Sequence, residues 1–239
     1  MSKKMKVIGI ISSPNQNGNT ATLVRQVLNS AGKNGAETTE IFLKDYKLEF
    51  CSGCLQCTAK GKCPLPDRLE DIRKLVYEAD GIVLGSPTYA MDYNAIMKNF
   101  FERLGPYTLY TSSLGGKYFV GISTSNGDDS KKTAKKLVEM AKMGIFKRAF
   151  ITGTLGVRTI INGNLVRISE NQDALRRAAE LGKKLTDDIR KKNTYPFQNL
   201  MMRLIVRLSL KPLFHSYILK NKEGKEKATY ENLSVRGLI

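Results

Sequence analysis

Short apolar runs rich in Val and Ile recur through the first two-thirds of the chain, and each is followed by residues at helical spacing. KVIGIISS (6–13), TTEIFLKDY (38–46), GIVLGSPTY (81–89), KYFVGISTS (117–125) and RAFITGTLG (148–156) are the strand-like runs. Runs this continuously apolar have to be covered on both faces, as in parallel sheets wrapped by helices. The intervening segments supply that cover. Leu23, Val24, Val27 and Leu28 share one face of a helix over 20–33, at the spacing a helical period brings together. Leu69, Ile72, Leu75 and Val76 do the same after Pro66 and Asp67, and 94–104 and 130–143 read as two more helices. A long charged helix over 172–192 turns Leu175, Ala178, Leu181, Leu185 and Ile189 inward. This alternation predicts an α/β fold, a doubly wound five-stranded parallel sheet. RTIINGNLVR (158–167) predicts a hairpin around Asn162 and Gly163.

Residues 1–193 form this domain, and 194–239 differ in character. NLMMRLIVRLSLKPLFHSYIL (199–219) is very apolar, with Arg203, Arg207 and Lys211 four apart on one helical face. It reads as an extension that packs on its own domain or across a subunit contact, and Pro212 is expected to end or kink its helix. No run reaches the roughly 18 apolar residues of a spanning helix, and MSKKMKVIGIIS does not lead into a small-residue cleavage site. A cytoplasmic setting is therefore expected. The formal charge of +17, from 39 basic and 22 acidic residues, favours acidic partners without selecting one; nucleic acid and membrane are not expected among them.

Three strand ends are polar and contain glycine. SSPNQNGNT (12–20) has neither the Lys of a Walker loop nor a GxGxxG pattern. It offers short hydroxyl and amide side chains, a flexible Gly18 and then a helix N-terminus, which suits a terminal phosphate; a plain turn capped by Asn19 or Thr20 is the structural alternative. GSPTYAMDYN (85–94) has Pro87 to fix an extended bend, and Thr88 and Tyr89 to face a planar ring. STSNGDDS (123–130) is the third loop at the same edge. Together they point to a phosphorylated aromatic cofactor.

SSPNQNGNT resembles the phosphate loop of flavodoxin-like NADPH-dependent FMN reductases, and DGIVLGSPTYAMDYNAIMKNFFERLG resembles their ring-binding segment. The resemblance, from about residue 6 to 190, implies a flavodoxin-like fold of strand order 2-1-3-4-5 and bound FMN. It implies that Ser13, Asn15, Asn17, Asn19 and Thr20 surround the phosphate. Pro87, Thr88, Tyr89 and Ala90 would face the ring, and Ser123, Thr124, Ser125 and Gly127 would close the site. Asn15 stands where many members of that family carry a basic residue.

All four cysteines fall in CSGCLQCTAKGKCP (51–64). Three thiols three apart plus a fourth, followed by Pro64, can hold an iron–sulfur cluster. Zinc prefers separated pairs, and a reducing setting opposes a structural disulfide; free thiols and a redox disulfide are the other readings. In this position the motif resembles that of the iron–sulfur flavoproteins of anaerobic microbes. The resemblance implies a [4Fe–4S] cluster on Cys51, Cys54, Cys57 and Cys63, and a homo-oligomer (dimer or tetramer) in which cluster and flavin meet across a subunit contact. It also implies single-electron transfer from a low-potential donor, an acidic ferredoxin- or flavodoxin-type protein, through the cluster to FMN and a small acceptor.

Two other functions are compatible with the sequence: a cluster-free NAD(P)H-dependent FMN or quinone reductase, and a redox-sensing binding module. His215 is the only histidine and lies in the extension, so no Ser–His–Asp or Cys–His arrangement can form and hydrolytic chemistry finds no support. No catalytic side chain is assigned, because the chemistry is centred on the flavin.

Overall fold

The computed structural model describes residues 4–161 and 163–239. Five parallel strands form the sheet: β1 (Lys6–Ile11), β2 (Glu37–Phe42), β3 (Gly81–Tyr89), β5 (Tyr118–Ser125) and β6 (Phe150–Arg158), in the order β2-β1-β3-β5-β6. A two-residue strand, β4 (Asp92–Tyr93), pairs antiparallel with β3. Counting the five parallel strands alone, the order is 2-1-3-4-5, the flavodoxin-like order expected from the sequence. Of the expected hairpin, Asn162 lies outside the described residues; β7 (Ile160–Ile161) and β8 (Asn164–Leu165) pair antiparallel on either side of it.

Successive strand residues point to opposite faces, and each face has its own core. Val7, Ile11, Val83, Val120 and Ile122 pack with Leu23, Val24 and Val27 of α1 (Asn19–Lys33) and Leu185 of α6 (Gln172–Lys191). Ile8, Ile10, Ile82, Leu84 and Phe119 pack with Ile72 and Val76 of α3 (Leu69–Glu78), and with Met97, Phe100 and Leu104 of α4 (Ala95–Tyr110). Leu137 of α5 (Ser130–Leu137) joins that second core. Helices α1 and α6 lie very close: a Cβ on Gly182 would stand 2.3 Å from the Val27 carbonyl oxygen.

Three helices depart from the sequence expectation. The helix expected over 130–143 stops at Leu137, and a 3₁₀ turn (Glu139–Met143) continues it while Ala141 stays buried. Helix α4 runs on to Tyr110 across a break at Gly105 (φ 51°, ψ −156°), beside Pro106, which has no N–H to donate. In the extension, Pro212 does not end the helix. A wide π-turn (Val206–Leu210) joins α7 (Leu200–Ile205) to α8 (Lys211–Lys220), relieving the ring clash that Pro212 would impose on a regular helix.

The chain then turns back. The last helix, α9 (Lys227–Val235), lies on α2 (Gln56–Lys60) in the cysteine segment. Thr58 Oγ1 donates to the Lys225 carbonyl at 2.8 Å, and Thr229 Oγ1 donates to the Thr58 carbonyl at 3.3 Å. By contrast α7, the π-turn and α8 expose Met201, Leu208 and Leu213 respectively. Among the described residues no helix is long and apolar enough to cross a membrane.

Glu226, at the start of α9, is 2% exposed and its Oε2 has no hydrogen-bond partner. Burial pushes its carboxyl above the ordinary Glu range, and the neighbouring Thr229, Tyr217 and Thr58 hydroxyls only partly offset this. A raised folded-state pKa gives stability that is fully present below the unfolded value and lost as pH rises through the folded one. Glu226→Gln is therefore expected to stabilise the protein by about 1–2 kcal/mol at pH 8. The gain should vanish below the ordinary Glu range, as measured by denaturant midpoints across pH.

Candidate functional site

The three polar loops meet at the carboxyl edge of the sheet, as an open α/β sheet places its ligand. Ser12, at the end of β1, donates its N–H to the Gly85 carbonyl at 2.9 Å. Thr20 and Thr124 share a buried hydroxyl hydrogen bond of 2.7 Å, which ties the first loop to the third. Thr88 Oγ1 and Ser123 Oγ, 3.0 Å apart, tie the second to the third. Asn94 joins the remaining pair. Its Nδ2 donates to the Ser12 carbonyl at 2.8 Å, its N–H donates to Ser86 Oγ at 3.0 Å, and its Oδ1 accepts from Met97 N–H at 3.2 Å, capping α4.

In the first loop Asn15 is occupied in folding the loop itself. Its carbonyl accepts from Ser13 Oγ at 3.1 Å and from Gly18 N–H at 3.2 Å, and its Oδ1 accepts from Asn17 N–H at 2.9 Å. The cap of α1 is Gly18, without a side-chain hydrogen bond, and not Asn19 or Thr20. The first-turn N–H groups of Asn19, Thr20 and Ala21 precede any intrahelical acceptor, so they form the positive end of an uncapped helix. Asn19 Oδ1 instead accepts from Ile168 N–H at 3.0 Å. That bond brings the segment after β8 to the loop, where Arg167 and Ser169 share a cavity of about 450 Å³ with Asn15, Asn17, Gly18, Asn19 and Thr22. Among the described residues no hydrogen bond or ion pair engages the exposed Arg167 guanidinium. The sequence reading missed it, because only chain folding sets it beside the loop.

In the second loop, β3 turns into β4 through Ala90 (φ 46°) and Met91 (φ 67°), with Tyr89 opposite Asp92. Two left-handed residues match a tight hairpin turn, but neither is the Gly or Asn that would signal one. The turn leaves Tyr89 exposed beside Pro87, Thr88 and Ala90. In the third loop Ser125 Oγ accepts from Gly127 N–H at 3.0 Å, and the Ser125 carbonyl accepts from Thr159 N–H at 2.8 Å. All thirteen residues expected around a phosphorylated ring thus lie at the carboxyl ends of β1, β3 and β5 or in the segments that follow them.

The cysteines form a separate site. Cys51, Cys54, Cys57 and Cys63 all line one cavity of about 400 Å³, closed on its far side by Glu102, Arg103, Gly105 and Pro106 of α4. Cys51 and Cys54 are exposed, Cys57 and Cys63 partly buried. The loop turns through left-handed Gly53 (φ 67°) and Leu55 (φ 55°). The Gln56 N–H on its sulfur lowers the Cys54 thiol below its ordinary range, whereas burial raises that of Cys57. Among the described residues no three His, Cys, Asp or Glu side chains converge as one metal ion would require.

Helices α3 and α4 hold this loop at both ends. Arg103 and Asp67 form a pair whose side chains are 0% and 6% exposed. Arg103 Nη1 donates to Asp67 Oδ2 at 2.5 Å and to the Glu49 carbonyl at 2.5 Å; Nη2 donates to Asp67 Oδ1 at 3.0 Å and to Cys63 Sγ at 3.4 Å. Burial opposes the charge of Asp67, but Arg103 and the N–H groups of Glu49 and Leu69 outweigh it and hold the carboxyl below its ordinary range. Arg73, also buried, donates to Glu70 at 2.7 Å and to the Gly61 carbonyl at 3.1 Å, while Glu70 accepts from Cys63 N–H at 3.2 Å.

A doubly wound sheet with three converging loops at its carboxyl edge defines a flavodoxin-like protein. The sequence model of the NADPH-dependent FMN reductases matches residues 5–153, so the chain belongs to that family and is an FMN-dependent oxidoreductase. An iron–sulfur flavoprotein of Methanocaldococcus jannaschii is 42% identical over 129 residues, 53% of this chain and 67% of that protein. One of Archaeoglobus fulgidus is 28% identical over 236 residues, 98% of this chain and 100% of that protein. Among solved structures, a flavone reductase superposes with a TM-score of 0.62 at 17% identity, over 81% of this chain and 66% of that one. That last likeness bears on the fold alone.

Asn94→Ala would leave the Ser12 carbonyl without its Nδ2 donor and uncap α4, while the backbone N–H bond to Ser86 Oγ would remain. A loss of about 2–3 kcal/mol is expected from a cap and a buried partner removed together, read as a lower denaturant midpoint.

Proposed function

We propose that this protein is an electron-transfer flavoprotein that holds a [4Fe–4S] cluster on Cys51, Cys54, Cys57 and Cys63. It takes single electrons from a low-potential donor, through the cluster to FMN and on to a small acceptor. The observation that carries the reading is the single cavity lined by all four thiols. A zinc ion, with bonds of about 2.3 Å, draws four thiolates close around one point. A cube gives each thiolate a different iron, so its ligands stand around a larger volume. Thiolates spaced along a cavity wall fit the second demand, and the names of the two relatives support it.

The residues present also fit FMN. The uncapped start of α1 with Ser13, Asn15, Asn17, Asn19 and Thr20 would take the phosphate. Arg167 supplies the positive charge that Asn15 does not. Pro87, Thr88, Tyr89 and Ala90 would present the ring, and Ser123, Thr124, Ser125 and Gly127 would close the edge. When bound, flavin exchanges one or two electrons and the cluster one at a time, so together they join a one-electron donor to a two-electron acceptor. The +17 charge suits an acidic ferredoxin- or flavodoxin-type donor, since complementary charge speeds encounter. The residues lining the cysteine cavity and those of the flavin loops are disjoint sets. That separation supports a homo-oligomer, with the exposed apolar side of α7 and α8 as its contact surface. Membership of an NADPH-dependent family favours one other reading, a cluster-free reductase that takes its electrons from NAD(P)H.

One anaerobic preparation separates these readings. Iron, acid-labile sulfide and flavin are assayed with the absorption spectrum, and mass is measured by light scattering. About four irons, four sulfides and one FMN per chain, in an oligomer, are expected. Flavin without iron, together with rapid oxidation of NADPH, would leave the cluster-free reductase; a monomeric mass would remove the subunit contact.

Arg167 has its own test. Arg167→Ala is expected to weaken FMN binding to the apoprotein about tenfold and to leave riboflavin binding unchanged, by flavin fluorescence titration. A tenfold change corresponds to about 1.4 kcal/mol, ordinary for one hydrogen bond to a charged group.

A further inference from the structure

The pair between Arg103 and Asp67 is an expensive way to hold a loop. Removing two charges from water costs several kcal/mol, and well-packed apolar residues often serve stability equally well. Arg103 Nε is buried without a hydrogen-bond partner, so the guanidinium is not fully satisfied even here. What distinguishes the pair is its position. Nη2 is shared between Asp67 Oδ1 at 3.0 Å and Cys63 Sγ at 3.4 Å, and Arg103 also forms part of the cavity wall that the four thiols line.

We propose that Arg103 sets the redox potential of the group held by the four cysteines, and that Asp67 is the counter-charge that moderates it. The inference rests on the cluster reading given above. Reduction of a [4Fe–4S] cluster from the 2+ to the 1+ state adds one electron and no proton, and it makes or breaks no bond. One more negative charge then sits beside Cys63. A fixed positive charge with an N–H on the ligand sulfur stabilises that added charge and raises the potential. A guanidinium stays protonated at any working pH, so this charge is constant. Asp67 opposes it across the same pair.

Both charges are held still. Asp67 accepts from the N–H groups of Glu49 at 2.9 Å and Leu69 at 3.0 Å. Arg103 stands on α4 two residues before the break at Gly105, anchored on the Glu49 carbonyl. Asn99, one turn earlier, donates to the Leu48 and Glu49 carbonyls at 3.0 and 3.2 Å. Such fixed charges act on the potential without rearranging when the electron arrives.

A brace and a tuning charge predict different behaviour of the two single variants. As a brace, Asp67→Asn and Arg103→Gln break the same contact and disturb the site alike. As tuning charges, they act with opposite sign. The experiment is a redox titration of the full-length, anaerobically purified protein, following the paramagnetic signal of the reduced cluster, with the bound flavin as an internal reference. Asp67→Asn is expected to raise the cluster potential and Arg103→Gln to lower it, each by about tenfold in the one-electron equilibrium constant, or about 59 mV. The flavin potentials should not move. Shifts of the same sign, or no shift, would overturn the inference while leaving the cluster in place. If Arg103→Gln loses its iron during purification, Asp67→Asn decides alone: a higher potential supports the inference, and an unchanged or lower one ends it. Wild-type protein that carries flavin but no iron would overturn the cluster reading and this inference together.

Discussion

Asn94 is the residue through which the parts of this protein hold one another. Its side chain bonds the end of β1 at Ser12, its N–H bonds the end of β3 at Ser86, and its Oδ1 caps α4. The residue is 4% exposed, so each of these bonds replaces one that water cannot supply. The geometry of the three-loop edge and the direction of α4 are therefore fixed at one point. Helix α4 carries that direction to Asn99 and Arg103, which hold the entry of the cysteine loop at Leu48 and Glu49. Two sites with no lining residue in common are thus mounted on one helix.

The electrostatics of the two sites differ in kind. At the edge where the three polar loops meet, positive potential comes from peptide dipoles at the start of α1 and one exposed guanidinium, Arg167, both in contact with water. At the cysteine cavity it comes from Arg73 and Arg103, both buried, where a lower dielectric makes each charge count for more. Burial opposes the charge of both, but carboxylates, phenol and thiol around them leave both pKa values raised. A solvated anion such as a phosphate is bound well by the first arrangement. The second acts more strongly on charge placed beside it, because it is screened less. The net charge of +17 does not predict this division, because it is set by which cations are removed from water.

Much of this was legible in the sequence, for a physical reason. Strand runs, helix faces and the three polar loops are local patterns, written in consecutive residues. Their parallel order follows from covering apolar strands on both faces. What could not be read is non-local. Arg167 reaches the phosphate loop because Ile168 bonds Asn19 across 149 residues, and Arg103 meets Cys63 across 40. The turn at Ala90 and Met91 carries no Gly or Asn, so local propensity argues against it; the pairing of Thr88 with Tyr93 imposes it. Pro212 argued for a helix end or kink, and what stands before it is a local π-turn.

The C-terminal extension gains meaning from where it ends. A loop that turns through Gly53 and Leu55 in left-handed conformations has few regular hydrogen bonds of its own, so its shape depends on its neighbours. On one side these are α3 and α4, which belong to the sheet domain. On the other are α9 and the turn before it, where Thr229 and Lys225 hold Thr58 by hydrogen bonds across 171 and 167 residues. The Archaeoglobus fulgidus relative matches this chain over 98% of its length, extension included, while the family model ends at residue 153. The family match stops within β6 and does not reach the extension, which packs α9 against α2 of the cysteine segment. Helices α7 and α8 carry the chain from α6 back to the cysteine loop. Along that path Met201, Leu208 and Leu213 stay exposed.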